Sequence, residues 1–536
     1  MTKTHQSLYE LFKETSNHFP ERIAISYISI KLKYKELLDC IDKTVEAFRK
    51  HGVKEGDVVS ISLPSLPESV MCFYALNKIG AIPCMIDVRY TPAQMCEIID
   101  RTHSKMLFIM GFSCIGLADV EDQLHVEKVV VCSGADSIPG VSTFYALGEW
   151  FNGRRAVFRK HKKFSHWKDF IKTAQGNDRS EPYHWKPNEM AALFHTSGTT
   201  GTVKSVILTT ENILHSTFPE PPVLNDISND DTVLCCLPIF AFFGANTLIL
   251  AFSYGMRAVV VPIVPHEAFL KTVIKHKPQH IFSVPAYWDG LATKQNNQED
   301  LSYLKTIIIA GDTLNATYEK SINDFLHARG CRYDITKGYG MTETSGIISY
   351  TPQGSPHQYE LGFSGKVVGG FEVKTFDGEI CVHSSMELLG YYKNEAATQA
   401  LIQTHEDKQW LHTGDMGYVD DEGNIFLIGR KKRMIVRHDG SKVFPVEIET
   451  CLAEHPSVAS CAVVPMQDPN HSESKLPKAF VVLKDPNQKS AITIEKLMTY
   501  CVEHLPEHLV PAAIAFIEEI PVNTNGKVDY QKLLSD

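Results

Sequence analysis

Short runs of aliphatic and β-branched residues alternate along the chain with amphipathic stretches of helical length. An apolar run bounded by turn residues predicts a buried strand, and apolar residues spaced three or four apart predict a helix. One such helix is predicted at Pro67–Lys78. The predicted strands around and after it are Val58–Leu63, Ala81–Ile86, Met106–Met110, Lys128–Cys132, Ile281–Val284, Thr306–Ile309 and Tyr333–Lys337. This alternation indicates βαβ units and therefore parallel sheets in an α/β fold.

The pattern changes from about Asp377, where short strands are separated by turn sequences such as Asp-Glu-Gly. This change predicts a small antiparallel β region that ends before the charged run Arg430-Lys-Lys-Arg433. The rest of the chain predicts a compact α+β unit. Its predicted elements are the helices Pro445–Glu454 and Thr493–His504 and the strands Val458–Met466, Lys478–Leu483 and Ala513–Ile517.

The segment Thr232–Met256 contains no charged residue and resembles a membrane span at first sight. Pro238, Gly244 and Asn246 interrupt it, and a β-branched run follows Arg257. The helix that remains after the turn is too short to cross a hydrocarbon core of about 30 Å. We therefore expect a buried strand, a turn, a buried helix and another strand, with no membrane span.

Composition and charge limit the classes of function. Of the 536 residues, 43% are hydrophobic and 22% are charged, which is typical of a globular protein and excludes a disordered or collagen-like chain. The formal net charge of -10 disfavours a nucleic-acid partner. The 13 cysteines include no Cys-x-x-Cys pair, which indicates reduced thiols. Because the N-terminus also lacks the apolar stretch of a signal peptide, we expect a cytoplasmic protein.

The sharpest chemical feature is the sequence Thr196-Ser-Gly-Thr-Thr-Gly-Thr-Val-Lys204, which follows the apolar run Met190–Phe194. Glycines and small hydroxyl residues let backbone N–H groups and hydroxyls converge on an anion, and Lys204 adds a positive charge. The spacing approaches that of a P-loop, but Val203 stands where that motif requires its second glycine. A Walker-type ATPase is therefore disfavoured, and a plain turn remains the alternative to a phosphate loop.

This loop resembles the phosphate loop of the adenylate-forming (AMP-binding) superfamily, which includes acyl- and aryl-CoA synthetases, nonribosomal adenylation domains and luciferases. Further landmarks of that superfamily follow one another in the expected order. They are Leu32-Lys-Tyr-Lys-Glu-Leu37, Asn77-Lys-Ile-Gly-Ala-Ile-Pro83, Gly338-Tyr-Gly-Met-Thr-Glu343, His412-Thr-Gly-Asp415, Gly429-Arg430 and Pro521-Val-Asn-Thr-Asn-Gly-Lys527. The resemblance thus extends over nearly the whole chain.

The resemblance implies a reaction in two halves. A carboxylate attacks the α-phosphate of ATP to give an acyl-adenylate and pyrophosphate, and a thiol then takes the acyl group and releases AMP. Such chemistry needs positioning and charge neutralisation rather than a covalent protein nucleophile. The cofactors implied are ATP, Mg²⁺ and coenzyme A, or instead the phosphopantetheine arm of a carrier protein.

The resemblance also assigns roles to individual residues. Glu343 is expected to bind Mg²⁺, because carboxylate oxygens suit this ion, and Thr342 to contact the α-phosphate. Tyr339 is expected to stack on adenine, with Gly340 allowing close approach, and Asp415 to accept both ribose hydroxyls with help from Arg430. The ATP-binding set is completed by Thr196, Ser197, Gly198, Thr199, Thr200, Gly201, Lys204, Ala310, Gly311, Asp312 and Met341.

A large N-terminal domain and a small mobile C-terminal domain are implied as well. We place them at residues 1–430 and 433–536, with a hinge at 431–432 that includes Lys432. Lys527 is the expected catalytic lysine, which reaches the carboxylate oxygen and the α-phosphate during adenylation. Rotation about the hinge is expected to bring Arg437, His438 and Lys442 near the thiol channel.

The chain departs from the family pattern near the loop and in the acid pocket. Val203 replaces a proline, Ser205 replaces a glycine, and His195 stands where an aromatic or aliphatic residue is common. Ala241 replaces a histidine that is frequent in acyl-CoA synthetases, which leaves Phe240 and Phe242 either as an apolar pocket wall or as core residues.

Gly338 fits the floor of such an acid pocket. No aspartate lies between Leu234 and Leu250 to pair with a substrate ammonium group, and a buried unpaired ammonium is costly. A fatty, short-chain or aryl acid is therefore a better candidate substrate than an α-amino acid.

Three functional hypotheses remain from the sequence. The first is an ATP-dependent acid–thiol ligase that uses coenzyme A. The second is a stand-alone adenylation enzyme that loads a separate acyl or peptidyl carrier protein. The third, which the departures at Val203, Ser205 and Ala241 keep open, is a nucleotide-binding relative without catalysis.

Overall fold

The computed structural model of the protein describes residues 7–134, 136, 157–158, 160–197, 203–262, 264, 268–288, 299–471, 474–485, 493–521 and 528–535. Its first two strands, β1 (Ile23–Tyr27) and β2 (Ile30–Lys33), form an antiparallel pair at one edge of the larger of two main sheets.

A seven-stranded sheet follows. Its strands are β3 (Val58–Ser62), β4 (Ile82–Met85), β5 (Met106–Met110), β6 (Lys128–Cys132), β7 (Phe164–His166), β8 (Met190–Ser197) and β9 (Val203–Thr209). They lie in the order β7-β6-β5-β3-β4-β8-β9. All neighbours are parallel except β8 and β9, which are antiparallel. The residues of the predicted phosphate loop therefore begin on one strand of this antiparallel pair and end on the other.

The chain then returns to the larger sheet. The added strands are β10 (Thr232–Cys235), β11 (Arg257–Val260), β12 (His280–Ser283), β13 (Thr306–Ala310), β14 (Thr336–Met341), β15 (Gly346–Tyr350), β16 (Phe363–Val367), β17 (Phe371–Phe376), β18 (Glu379–Ser384), β19 (Ile402–His405), β20 (Lys408–Val419) and β21 (Asn424–Arg430). The order is β17-β18-β20-β21-β16-β15-β14-β13-β12-β10-β11-β1-β2, with β19 paired to β20. In this order, the neighbouring strands from β14 to β1 pair in parallel. The β14–β15 and β15–β16 pairs and the pairs beyond them are antiparallel, as is the β1–β2 pair at the other edge. The predicted antiparallel region thus continues the parallel sheet.

Separate, smaller sheets follow β21. The strands β22 (Ile435–Val436) and β23 (Lys442–Val443) form a hairpin. The strands β24 (Val458–Gln467), β25 (Lys475–Leu483) and β26 (Ala513–Phe516) form a three-stranded sheet. The protein therefore has a large N-terminal α/β part with mixed sheets and a smaller C-terminal α+β part.

Helices cover these sheets. They are α1 (Leu8–His18), α2 (Tyr34–Lys50), α3 (Pro67–Ile79), α4 (Pro92–Thr102), α5 (Cys114–Ala118), α6 (Trp167–Lys172), α7 (Thr210–Thr217), α8 (Phe242–Ser253), α9 (Phe269–His276), α10 (Ala316–His327), α11 (Glu395–Leu401), α12 (Pro445–Glu454), α13 (Ile494–His504) and α14 (Tyr530–Ser535). Within the described residues, none of these helices is long and apolar enough to cross a bilayer.

The largest core cluster combines side chains of both main sheets with those of α1, α2, α3 and α8. Every residue of α3 is buried, including Lys78, whose ammonium is paired with Asp42 at 3.0 Å and with Asp178 at 3.2 Å. A buried cation persists only when it is paired in this way. These helices therefore pack between the two sheets and hold them in fixed relation.

Most predicted elements are present with small changes in their bounds. Helix α12 coincides with the predicted Pro445–Glu454, and the uncharged segment forms β10, α8 and β11 as predicted. The prediction of a strand at Tyr333–Lys337 was wrong in position, since β14 runs from Thr336 to Met341. The glycines Gly338 and Gly340 continue this strand instead of ending it, because β14 pairs with β13 on one side and with β15 on the other.

Candidate active site

The β8–β9 pair carries both ends of the predicted phosphate loop. Thr196 lies opposite Lys204, and Ser197 lies opposite Val203, in the antiparallel register. The predicted loop residues Gly198, Thr199, Thr200 and Gly201 lie outside the described residues. The described part therefore shows a hydroxyl and an ammonium side by side where the sequence predicts phosphate binding.

Glu343 connects this pair to the larger sheet. Its Oε1 accepts a hydrogen bond from the Thr196 hydroxyl at 3.2 Å and another from the Tyr391 hydroxyl at 2.8 Å. The Lys204 ammonium lies 4.6 Å from the centroid of the Tyr391 ring. Burial raises the pKa of Tyr391 and the Glu343 charge raises it further, so this phenol stays protonated as a donor. One buried carboxylate oxygen of Glu343 is thus held by two residues that are distant in the chain, at separations of 147 and 48 positions.

The turn that presents Glu343 is held by its own backbone. Residues Thr342–Thr344 form a 3₁₀ turn between β14 and β15, and Ser345 then adopts a left-handed conformation with φ of 63°. Met341 N–H donates to the Thr344 hydroxyl at 3.2 Å, and this hydroxyl donates to the Met341 carbonyl at 3.0 Å. The carboxylate of Glu343 therefore projects from a turn that is stabilised by hydrogen bonds between its own residues.

Gly340 is required beside this turn for a packing reason. A β-carbon at this position would lie 1.9 Å from the Gly346 carbonyl oxygen of β15. The resemblance implies that Gly340 allows close approach of adenine. The described structure supplies a second reason, because β14 and β15 approach each other too closely for any side chain here.

Asp415 forms the second polar centre of the site. Its Oδ2 accepts from the Tyr339 hydroxyl at 2.8 Å, and its Oδ1 lies 2.9 Å from Nε of Arg430. Asp415 and Arg430 face each other in the β20–β21 register, while Tyr339 belongs to β14. Burial and the Asp415 charge raise the pKa of Tyr339, so its hydroxyl remains a donor. The carboxylate is thus held in place by a phenol and a guanidinium.

Glu379 organises the backbone before Asp415, and no sequence signal pointed to it. Its Oε1 accepts from Gly414 N–H at 2.9 Å, and its Oε2 accepts from His412 at 3.2 Å and from Lys431 at 2.7 Å. Burial acts to raise the pKa of Glu379, but the hydrogen bonds from Lys431 and His412 lower it below the usual range. This carboxylate therefore ties the His412–Asp415 segment to a residue of the predicted hinge.

The predicted adenine-side turn lies at the end of β13. Ala310 pairs with Gly338 of β14, Gly311 has a φ of +88°, and the Asp312 carboxylate accepts from Thr313 N–H at 2.8 Å. Burial and then the charge of Glu449 raise the pKa of Tyr530, and Asp312 contributes as well. The predicted catalytic residue Lys527 lies outside the described residues.

The residues predicted for the acid pocket lie beside the same site. The Phe242 ring centroid is 5.3 Å from that of Phe194 in β8, and a β-carbon on Gly346 would lie 3.1 Å from the Phe242 ring. Ala241 is the residue before α8. Phe240 is buried, with the Arg89 guanidinium 5.7 Å from its ring centroid.

A β-carbon at Gly338 would lie 3.3 Å from that of Ala310. Phe242 thus lies against β8, the strand that carries Thr196, and Gly338 lies in β14, the strand that precedes the Glu343 turn. Their role in binding an acid stays a prediction.

The departures from the family pattern have partners of their own. The Ser205 hydroxyl accepts from the Arg101 guanidinium at 3.0 Å, and His195 Nε2 lies 3.3 Å from the Cys84 sulfur. Burial, with the charge of Arg101, lowers the pKa of His195 to about 3, so this imidazole is neutral. Val203 packs in the core on the same side of β9. These residues therefore form a packed layer behind the phosphate-loop strands.

The residues predicted to meet coenzyme A lie in the C-terminal part. Arg437 and His438 follow β22, and Lys442 begins β23. The Arg437 guanidinium donates to the His508 carbonyl at 2.8 Å, and His438 lies near Asp468. Lys432 lies in the 3₁₀ turn Lys431–Arg433 after β21. The contacts described above for Arg437 and His438 are thus with residues of the C-terminal part itself.

Comparisons with known proteins identify the family of the chain. Residues 12–392 match the AMP-binding enzyme family, and residues 447–527 match the AMP-binding enzyme C-terminal domain. The chain is 27% identical to 4-coumarate–CoA ligase CCL1 of Humulus lupulus, with 94% of this chain and 87% of that protein covered. It is 26% identical to the putative acyl-CoA synthetase YngI of Bacillus subtilis (strain 168), with coverages of 99% and 96%.

A solved structure of the anthranilate CoA ligase AuaEII in complex with anthranoyl-AMP shares the fold. Its TM-score is 0.84 at 23% identity, with 99% of this chain and 97% of that chain covered. The family match covers most of the chain, and its two parts correspond to the large and small parts of the fold. This chain therefore belongs to the AMP-binding enzyme family, the adenylate-forming superfamily to which its motifs point.

Proposed function

We propose that this protein is an AMP-forming acid–thiol ligase, which activates a carboxylic acid with ATP and transfers the acyl group to coenzyme A. The observation that carries the proposal is that Thr196 and Tyr391 both donate to Glu343, with the Lys204 ammonium over the Tyr391 ring. Tyr339, four residues before Glu343 in the chain, donates to Asp415 at a second polar centre. One polar centre suits a metal–triphosphate group, and the other suits a ribose. Membership of the AMP-binding family supports this pairing.

The residues at the first centre fit Mg²⁺ and phosphate. Glu343 offers a hard oxygen ligand, and its Oε1 is already oriented by two donors. Mg²⁺ favours carboxylate, phosphate and water oxygens, and when bound it offsets the charge of the phosphates. Lys204 adds a positive charge on the neighbouring strand. Thr196 to Gly201 are assigned to the β- and γ-phosphates, and Thr342 is assigned to the α-phosphate.

The second centre fits the nucleoside. Asp415 has two carboxylate oxygens for two ribose hydroxyls. Because Asp415 is only 6% exposed, few water molecules compete with a ribose for these oxygens. Tyr339 and Arg430 hold this carboxylate without a nucleotide. The turn at Ala310, Gly311 and Asp312 completes the adenine side in this assignment.

The chemical steps follow from this placement. The substrate carboxylate forms a bond to the α-phosphorus, and the bond from that phosphorus to the pyrophosphate leaving group breaks. The thiol sulfur then bonds to the acyl carbon, the carbon–oxygen bond to AMP breaks, and the thiol proton passes to water. Lys527 is assigned to charge stabilisation in the first half, and rotation about Lys432 is assigned to the change between the halves.

An aromatic acid is our preferred substrate class. The similar proteins include a ligase named for 4-coumarate and one solved with anthranoyl-AMP. In this chain, Phe242 lies against Phe194 beside the Glu343 turn, and no carboxylate between Leu234 and Leu250 could pair with an ammonium. A flat apolar ring packs well against such phenylalanines.

The experiment is ATP–pyrophosphate exchange with a panel of aryl, fatty, short-chain and amino acids in the presence of Mg²⁺. We expect exchange that depends on an aryl acid, followed by thioester formation with coenzyme A. Exchange with amino acids alone would refute the substrate class. Exchange without thioester formation on coenzyme A, but with transfer to a carrier protein, would favour the second hypothesis. Absence of exchange with every acid would refute the proposed activity.

A further inference from the structure

Three side chains in the C-terminal part bring two imidazoles next to one carboxylate. His438 lies between β22 and β23, and Asp468 and His471 lie in the segment after β24. Nδ1 of His471 is 3.2 Å from Oδ2 of Asp468, and Nδ1 of His438 is 3.9 Å from the same oxygen. One ligand atom from each residue can be chosen so that all lie within 4.8 Å of one another.

The three groups differ in how firmly they are held. The Asp468 side chain is 3% exposed, and its Oδ1 accepts from Asn470 N–H at 2.8 Å. The His438 and His471 side chains are 43% and 47% exposed. Their rings lie parallel with centroids 4.1 Å apart. The carboxylate of Asp468 is therefore held by the backbone through Oδ1, while its Oδ2 lies beside two solvent-exposed imidazoles.

These distances resemble those around a bound ion. Ligand bonds of about 2.0–2.2 Å in a tetrahedral arrangement place neighbouring ligand atoms roughly 3.3–3.6 Å apart. The two nitrogen–oxygen distances of 3.2 and 3.9 Å lie on either side of this range. The lone pairs of two parallel rings do not meet at one point, so binding an ion requires both exposed rings to turn out of their stack towards Oδ2 of Asp468.

We propose that His438, Asp468 and His471 form a binding site for a divalent transition-metal ion of the Zn²⁺ class, with water completing the coordination. Two imidazoles and one carboxylate suit Zn²⁺, Ni²⁺ or Cu²⁺, whereas Mg²⁺ prefers oxygen ligands alone. This site is separate from Glu343. Its test does not depend on the proposed ligase activity, because it measures Zn²⁺ binding and thermal unfolding and not turnover.

A bound ion has a structural consequence. It connects the β22–β23 hairpin, which carries His438, to the segment after β24, which carries Asp468. These two residues are 30 positions apart in the sequence. A ligand that binds the folded state and not the unfolded chain raises the unfolding temperature. Zn²⁺ should therefore stabilise the protein only while these ligands are present.

The test uses the full chain after treatment with EDTA and dialysis. Zn²⁺ is titrated by calorimetry into the wild type, His438→Asn and His471→Asn, and thermal unfolding is recorded with and without Zn²⁺. We expect one Zn²⁺ site in the wild type that weakens about tenfold or more in each variant, since even changing a group that only orients a metal ligand commonly costs about 10–100-fold in affinity. Unfolding in EDTA verifies that the variants are folded.

A matched control comes from a histidine–carboxylate pair elsewhere on the surface. Nδ1 of His125 lies 2.7 Å from Oδ1 of Asp100, and this pair belongs to no three-ligand group among the described residues. His125→Asn should leave Zn²⁺ affinity unchanged. Equal Zn²⁺ affinity in wild type and in both C-terminal variants, loss of the site in His125→Asn alone, or no Zn²⁺ binding at all would each overturn the proposal.

Discussion

Replacing Tyr391 by phenylalanine tests how the site holds Glu343. The substitution removes the hydroxyl that donates to Glu343 Oε1 at 2.8 Å, and it keeps the ring beneath the Lys204 ammonium. Thr196 still donates to the same oxygen at 3.2 Å. The change therefore frees one of the two restraints on the carboxylate and leaves the neighbouring positive charge in place.

The size of the effect follows from this geometry. A hydrogen bond to a charged group contributes about 1.5–3 kcal/mol. Each 1.36 kcal/mol on the barrier changes the rate about tenfold. Because Thr196 remains as a donor, we use the lower end of the range and expect pyrophosphate exchange to fall about tenfold in Tyr391→Phe. The Mg²⁺ concentration for half-maximal exchange should rise, since the Glu343 carboxylate that is assigned to the ion is less firmly oriented.

The assay is ATP–pyrophosphate exchange at several Mg²⁺ concentrations with a saturating acid. The control is Tyr392→Phe. Within the described part of the chain, the Tyr392 hydroxyl makes no hydrogen bond, and only the backbone N–H of this residue donates, to the Ser205 carbonyl. Tyr392→Phe should behave as the wild type. Exchange within twofold of the wild type in Tyr391→Phe at limiting Mg²⁺ would show that Glu343 does not need this hydroxyl, and the reasoning would fail.

Four further predictions concern other parts of the protein. Asp415→Asn should raise KM for ATP at least about tenfold, because charge-assisted hydrogen bonds to ribose are lost; exchange kinetics measure this. Lys527→Ala should abolish acyl-adenylate formation and leave thioester formation from a supplied adenylate largely intact. Gly340→Ala should lower the free energy of unfolding by about 1–3 kcal/mol, while Gly176→Ala, which meets open space, should change it little in urea titrations. Lowering the pH from about 6.5 towards 3 should cost the wild type up to about 1.4 kcal/mol per pH unit through His195, and His195→Gln should lose less.

The sign of the His195 effect comes from its lowered pKa of about 3. Between that value and about 6.5 the unfolded chain binds a proton that the folded protein does not, so acid favours unfolding. Parallel pH profiles for wild type and variant would contradict it. For Lys527, an equal loss of both half-reactions would contradict the assigned role. For Asp415, an unchanged KM for ATP would remove the ribose assignment.

The fold was predictable where local pattern and tertiary context agree. The runs at Met106–Met110 and Lys128–Cys132 form strands with those bounds, because both lie inside a parallel sheet and need apolar residues on both faces. The predicted position of β14 was wrong because glycine weakens the interior of a strand, so the sequence predicts that the strand ends before Gly338. Glycine is required at position 340 because β15 leaves no room for a side chain, and the sequence does not show this close approach.

The sequence singles out the motif residues of the candidate site, but it does not predict the side chains that contact them. Glu343 and Asp415 belong to recognisable sequences, but Tyr391 and Glu379 do not stand out by charge run or spacing. Tyr391 follows Gly390 in an ordinary Gly-Tyr-Tyr sequence, and its partner lies 48 residues earlier. Hydrogen bonds across such distances depend on how two sheets pack, which a periodic pattern cannot encode.

The departures near the phosphate loop lie on the side of β9 away from the site. Successive side chains of a strand point to opposite faces, so Val203 and Ser205 share one face and Lys204 occupies the other. His195 faces Ser205 in the register, just as Thr196 faces Lys204. The three unusual residues therefore contact Arg101, Cys84 and the core, whereas the two expected ones face Glu343 and Tyr391. Changes confined to that buried face alter packing behind the strands, so they give no support to a loss of catalysis.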